Sequence, residues 1–246
     1  MIEQSVAIST PDGTAEGTLF IPDSSHRHSG VLYFTDIAGI RPANLGMARR
    51  LAEQEYAVLV PNLFYRTSKL PVFDFPLKFG DERTTKRLGE LSAPLTPDAM
   101  ERDASAYVDF LAASETVDPG PMGVVGFCFS GAMAMRAAAA RPDRIAVAAS
   151  FHGGRLYTDQ PTSPHRELPR IKARLYFGHA VDDKSMPAES IAQFEEVLRA
   201  WGGRYQSETY EGVLHGWTVP GGHAYNHPQA ERAFEKLTQL LAETLR

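Results

Sequence analysis

The stretch Met122-Gly123-Val124-Val125-Gly126-Phe127-Cys128-Phe129-Ser130-Gly131-Ala132-Met133-Ala134-Met135 decides how this chain is read. It opens as a short apolar run without alternation, the pattern of a strand buried on both faces. It continues as a small-residue turn around Cys128 and then as an apolar segment that starts a helix. Strand, nucleophile at a sharp turn, helix is the layout of a nucleophile elbow. The turn demands tiny residues two before and two or three after the nucleophile, and Gly126, Ser130 and Gly131 meet that demand. The elbow aims the Cys128 thiol at the N-terminus of the following helix, whose dipole favours an anion, and leaves the Phe129 backbone N–H in place for an oxyanion hole. The competing reading makes Cys128 a small buried hydrophobe, as free cysteines often are.

Working outward, four further runs have the same buried character: Gly30–Thr35, Ala57–Val60, Ile145–Ser150 and Ala173–Phe177. Between them lie amphipathic segments, with Leu45, Ala48, Leu51 and Ala52 on one face, then Ala104, Tyr107, Val108 and Leu111, then Ile191, Phe194, Val197 and Leu198. A last helix is expected over about 228–245. Strands alternating with helices predict an α/β fold: a mostly parallel central sheet with helices on both faces. Val6–Ser9 and Thr18–Ile21 flank Pro11-Asp12-Gly13 and read as an N-terminal hairpin. No composition shift marks a boundary, so residues 1–246 are expected to form one domain. The segment 61–97 has Pro, Phe, Tyr and charges but little periodicity, and reads as a lid-like excursion.

Open α/β sheets bind ligands beyond the carboxyl ends of their strands. Those positions hold Asp36 after the first run, Cys128, the adjacent pair Asp182 and Asp183, and His215 after a last strand near 205–210. Eight histidines compete for the role of base. His26 and His28 read as solvated loop residues, and His165 lies among prolines and charges. His223 and His227 follow a turn, while His152 and His179 precede the acid. His215 alone lies between the last strand and the last helix. Nucleophile, acid and histidine then follow in the α/β-hydrolase order, with gaps of 55 (183 − 128) and 32 (215 − 183) residues that leave room for βα units.

Together these residues resemble the dienelactone hydrolase family of the α/β-hydrolase fold, from about Gly30 to the C-terminal helix. Gly126–Gly131 resembles its cysteine elbow, Tyr33–Gly39 its strand ending in a carboxylate and a glycine, and Pro61–Arg66 its Pro-Asp-Leu-Tyr segment. Asp183-Lys184-Ser185-Met186-Pro187 resembles the family's acid with a proline four residues on, and His215-Gly216-Trp217 its His-Gly/Ser-aromatic. The resemblance implies hydrolysis of a small ester or lactone through a thioacyl-enzyme on Cys128, with His215 as base and Asp183 as its partner. It also implies an oxyanion hole from the Ile37 and Phe129 N–H groups, and a thiol-activating carboxylate at Asp36. The family has glutamate there, and a loop-capping carboxylate is the other reading of this shorter aspartate. Ser130 stands where the family has glycine, and Val219 where its dienelactone-specific members carry arginine. Tyr65, His152 and Trp217 are candidate pocket walls, and Arg66, Arg83 and Arg87 candidate lid cations.

Composition narrows the classes further. Over 246 residues the chain is 43% hydrophobic and 22% charged with net charge −5, which argues against disorder and against nucleic-acid binding. One cysteine excludes an internal disulfide framework and fits a reducing compartment. Neither a signal peptide nor a bilayer-spanning run is visible, so a cytoplasmic protein is expected, with a small-molecule substrate, no membrane partner, no metal and no cofactor. The sequence sets no oligomeric state. Two other classes stay open: a non-catalytic, redox-sensing relative that keeps the thiol for oxidation, and an acyl transferase on the same three residues.

Overall fold

The computed structural model describes all 246 residues. Its centre is an eight-stranded sheet in the order β1-β2-β4-β3-β5-β6-β7-β8. The strands are β1 (Ile2–Thr10), β2 (Gly13–Ile21), β3 (Ser29–Phe34), β4 (Tyr56–Pro61), β5 (Met122–Phe127), β6 (Ile145–Phe151), β7 (Arg174–Asp182) and β8 (Tyr205–Leu214). β1 and β2 form the expected hairpin and join antiparallel to β4, and every other pair is parallel. β4 and β5 are buried along their whole length, which is why they read as continuous apolar runs rather than as alternation.

Helices cover both faces: α1 (Pro42–Ala52), α2 (Glu82–Ser92), α3 (Pro97–Ala112), α4 (Ser130–Ala140), α5 (Ala188–Trp201) and α6 (His227–Leu245). Two buried clusters result. One lies around Leu32, Phe34, Tyr107 and the alanines of α4. The other lies around Val31, Val125, Phe127 and the α6 leucines. β3 and β5 send alternate side chains into each, as a strand of period two must.

β1, β2 and β8 run longer than the sequence reading, β8 as far as Leu214 beside His215, and two further elements differ from it. β7 runs five residues beyond Phe177, through His179 to Asp182, because His179 is tolerated inside a buried strand between the rings of Phe177 and Phe194. Within the excursion 61–97, α2 forms although its apolar positions are few. Asp81 caps it by accepting the Thr84 N–H at 3.0 Å, and Leu91 anchors it in the core.

Candidate active site

The elbow is built as its small residues require. Cys128 follows β5 at φ +61°, a left-handed conformation that costs a side-chain-bearing residue energy and persists only where its surroundings hold it. A Cβ on Gly126 would collide with the Ser130 carbonyl, and one on Gly131 with the Ser150 hydroxyl. Ser130, in the place of a glycine, has its own job. Its hydroxyl accepts the Phe127 N–H at 2.8 Å and sits 3.0 Å from the Phe34 carbonyl oxygen, joining the ends of β5 and β3.

β7 and β8 deliver a carboxylate and an imidazole. Asp183 is buried and its Oδ2 lies 2.6 Å from His215 Nδ1, while its neighbour Asp182 is exposed. The last strand residue, Asp182, faces solvent, and the chain turns inward at Asp183 as it leaves β7. Asp183 Oδ1 accepts the Ser185 backbone N–H at 2.8 Å and the Ser185 hydroxyl at 2.6 Å. Burial opposes ionisation of Asp183, but the hydrogen bonds from His215 and Ser185 outweigh it and hold the carboxyl below its usual range. Burial likewise pulls His215 down, yet hydrogen bonding to Asp183 and then the interaction with Cys128 lift it to about 10. His179 is different: burial pushes it down to about 4, and neither ring nitrogen has a partner.

His152 lies between these groups at φ +42°. Its Nδ1 accepts the Cys128 backbone N–H at 3.0 Å, so its proton sits on Nε2, 2.8 Å from the Thr218 hydroxyl. Burial drives its basicity well below that of an ordinary histidine, leaving a neutral ring packed edge-on against His215 at 5.1 Å. The Ile37 and Phe129 backbone N–H groups make no hydrogen bond within the protein.

Asp36 reaches the same cleft but does not hydrogen-bond the thiol. Its carboxylate is clamped by Arg41, Oδ1 to Nη1 at 2.6 Å and Oδ2 to Nη2 at 2.7 Å, and it caps the Ala38 N–H at 3.0 Å. The loop-capping reading of Asp36 therefore fits, and both carboxylate oxygens are held by an arginine five residues on. Arg41 Nη1 also donates to Asn44 at 2.6 Å, so most of this guanidinium is engaged.

The cleft measures about 640 Å³ and contains Asp36, Ile37, Arg41, Cys128, His152 and His215. Leu77 and Phe79 from the excursion border it on one side and Val219 to Ala224 on the other. Two expected wall residues lie elsewhere. Tyr65 donates its hydroxyl proton to Asp103 at 2.8 Å and accepts from Thr10, beneath the N-terminal hairpin. Trp217 is wholly buried behind His152, against Tyr210. The lid arginines are committed as well: Arg66 to Asp12 and Asp103, Arg83 to Asp74 and the Phe75 ring, Arg87 to Val72, Ser68 and Glu90. Arg41, Ser185 and Thr218 escaped the sequence reading. Only Ser185 had a signal, two residues after a carboxylate, the spacing of an Asx turn.

Comparison with known proteins places this geometry in context. The sequence profile of the dienelactone hydrolase family matches residues 15–245. A carboxymethylenebutenolidase of Rhodococcus opacus is 27% identical over 219 residues, covering 88% of this chain and 81% of the relative. The hydrolase tropI of Talaromyces stipitatus is 29% identical over 221 residues, covering 83% and 76%. Among solved structures, a dienelactone hydrolase-like promiscuous phosphotriesterase from metagenomic libraries superposes with a TM-score of 0.79 at 22% identity, covering 99% of both chains. The dienelactone hydrolase of Anabaena variabilis gives 0.66 at 19%, covering 100% of this chain and 99% of its own. The fold is that of an α/β-hydrolase.

Proposed function

The chain belongs to the dienelactone hydrolase family and is a hydrolase of the ester and lactone type, and from that premise we propose that it works through a Cys128–His215–Asp183 triad and a thioacyl-enzyme. The observation that carries this reading is the 2.6 Å contact between His215 and Asp183, in the cleft that Cys128 also lines. Asp183 occupies Nδ1, which leaves Nε2 for the thiol. His215, lifted to about 10, holds on Nε2 the proton it takes from the sulfur, and the sulfur attacks the acyl carbon. The carbonyl oxygen becomes an oxyanion that the Phe129 and Ile37 N–H groups can stabilise. His215 then protonates the departing alkoxide, and water attacks the thioester with His215 again as base, returning acid and free thiol. Throughout, Asp183 holds the tautomer and stabilises the imidazolium.

The preferred substrates are neutral short-chain esters or lactones. A substrate carboxylate wants an unengaged, bidentate cation. Of arginines and lysines the cleft offers only Arg41, already neutralised by Asp36, and Val219 stands at the position where a substrate arginine would be. The test uses the single cysteine. Iodoacetamide should give one adduct by intact mass, with hydrolysis of a chromogenic short-chain ester falling in proportion, and Cys128→Ala should be inactive. Full alkylation with full activity would end the proposal.

A further inference from the structure

Ser24, His26, His28 and Glu55 meet at the opposite end of β3 from the cleft. Six strand residues separate the two sites, a span of about 20 Å. The sequence reading treats both histidines as solvated, and His28 departs from it: the ring is buried, while His26 and Glu55 are more than half exposed. His26 Nε2 lies 3.6 Å and His28 Nδ1 3.5 Å from Glu55 Oε2, and the three donor atoms lie within 4.8 Å of one another. Ligand atoms about 2.0–2.1 Å from a tetrahedral zinc ion are about 3.3 Å apart, so two of the three edges are nearly at bonding separation already.

We propose that His26, His28 and Glu55 form a binding site for a divalent transition metal of the zinc class. Two imidazoles and a carboxylate are the donor set such ions take, whereas calcium and magnesium want oxygen alone.

What lies behind the ligands supports the assignment. Each ring turns its other nitrogen to the same hydroxyl, with His26 Nδ1 3.2 Å and His28 Nε2 2.9 Å from Ser24 Oγ. Metal-bound histidines nearly always donate their second N–H to an oxygen that fixes the ring. A serine oxygen has two lone pairs and can accept from both rings at once. In the metal-free protein His28 Nδ1 faces the Glu55 carbonyl oxygen at 3.1 Å, so that nitrogen carries the proton and Nε2 accepts from Ser24. Metal binding exchanges the tautomer: the proton moves to Nε2, which donates to Ser24, and Nδ1 gives its lone pair to the ion. No proton leaves a neutral ring. Glu55 sits at φ +64°, in a turn that brings its carbonyl oxygen and its carboxylate to the same side, and the carbonyl is then a further oxygen donor. His28 also pairs through its backbone with Thr116 and Asp118, so the bound ion would tie the loop before β3 to the turn before β4 and to the segment before β5.

The experiment titrates tag-free, full-length protein with Zn(II) by calorimetry and with Co(II) by visible absorption. The Cys128→Ser variant runs alongside to set aside any metal taken by the catalytic thiol. One equivalent is expected in both proteins, without sulfur-to-cobalt charge transfer in the variant, and zinc should raise the melting midpoint. His26 is exposed, so His26→Ala should fold and keep its esterase activity while the equivalent is lost. Ser24→Ala should weaken binding roughly 10–100-fold. Absence of zinc binding in Cys128→Ser, or an equivalent there that survives both His26→Ala and Glu55→Gln, would overturn the site.

Discussion

Replacing Asp183 by asparagine tests the proposed mechanism at its most specific point. Ser185 presents two donors, its N–H and its hydroxyl, to Asp183 Oδ1. An asparagine keeps both bonds only by leaving its carbonyl oxygen there, which forces the amide NH₂ into the place of Oδ2, 2.6 Å from His215 Nδ1. A donor now faces a nitrogen that carried the proton. The ring must switch tautomer, put its proton on Nε2, and meet Cys128 as a donor with no lone pair to take the thiol proton. The substitution is nearly isosteric, so folding should survive while turnover falls on the order of 10⁴, as it does for the equivalent change in the serine-protease triad. That factor is about 5.4 kcal/mol of transition-state stabilisation. The assay is kcat/KM on a neutral chromogenic ester, with the iodoacetamide rate as a separate report on the thiol. The exposed neighbour supplies the control, since Asp182→Asn should change neither. A loss of less than tenfold in Asp183→Asn, or a large loss in Asp182→Asn, would refute the reasoning.

The remaining expectations can be checked on a small set of variants. His215 should titrate by NMR near 10 in the wild type and lower in Cys128→Ser, because one of the two partners that lift it is gone. The Asp183 carboxyl is held below its unfolded value, so its contribution to stability is complete above about pH 3.9 and is lost as pH falls through the depressed folded value. The stability gap between wild type and Asp183→Asn in urea should therefore close on acidification, and a gap that widens contradicts the assignment. Val219→Arg should raise kcat/KM for a carboxylated lactone by roughly ten- to a hundredfold, the worth of a charge-assisted contact of about 1.5–3 kcal/mol. Arg41→Gln strands the Asp36 carboxylate in the cleft and should lower stability by about 1–3 kcal/mol in a denaturant melt.

Legibility followed the physics of each residue. The elbow was readable because a strained turn admits so few side chains: glycine at 126 and 131 is a steric necessity, and the necessity is written in the sequence. The order of acid and histidine was readable because parallel strands deliver their ends to one edge. Choosing between Asp182 and Asp183 needed the family likeness, since adjacent residues differ only in the face they take. Aromatics were the weak point. Tyr65 and Trp217 follow strands as pocket residues do, but a large ring beyond a strand is as readily buried, and both are engaged away from the cleft. Arg41 could not be foreseen, because its effect on Asp36 arises from a turn whose geometry no spacing rule specifies. α2 was hidden by a shortage of apolar positions, as it rests on a cap and on little more than one leucine.

The Ser130 hydroxyl has a consequence for timing within the catalytic cycle. The two N–H groups suited to cradle an oxyanion belong to different strand ends, Phe129 to the elbow after β5 and Ile37 to the loop after β3. A glycine after the elbow would leave the gap between them to the sheet alone. Here a single hydroxyl touches both ends, accepting the Phe127 N–H and lying 3.0 Å from the Phe34 carbonyl oxygen and 2.9 Å from that of Phe127, and it acts as a caliper on the width of the proposed hole. A resting ester carbonyl tolerates a loose hole, whereas a tetrahedral intermediate, with its longer and more charged C–O bond, does not. Losing the caliper in Ser130→Gly should therefore lower kcat while leaving substrate capture largely as it was, a penalty felt only at the summit of the barrier.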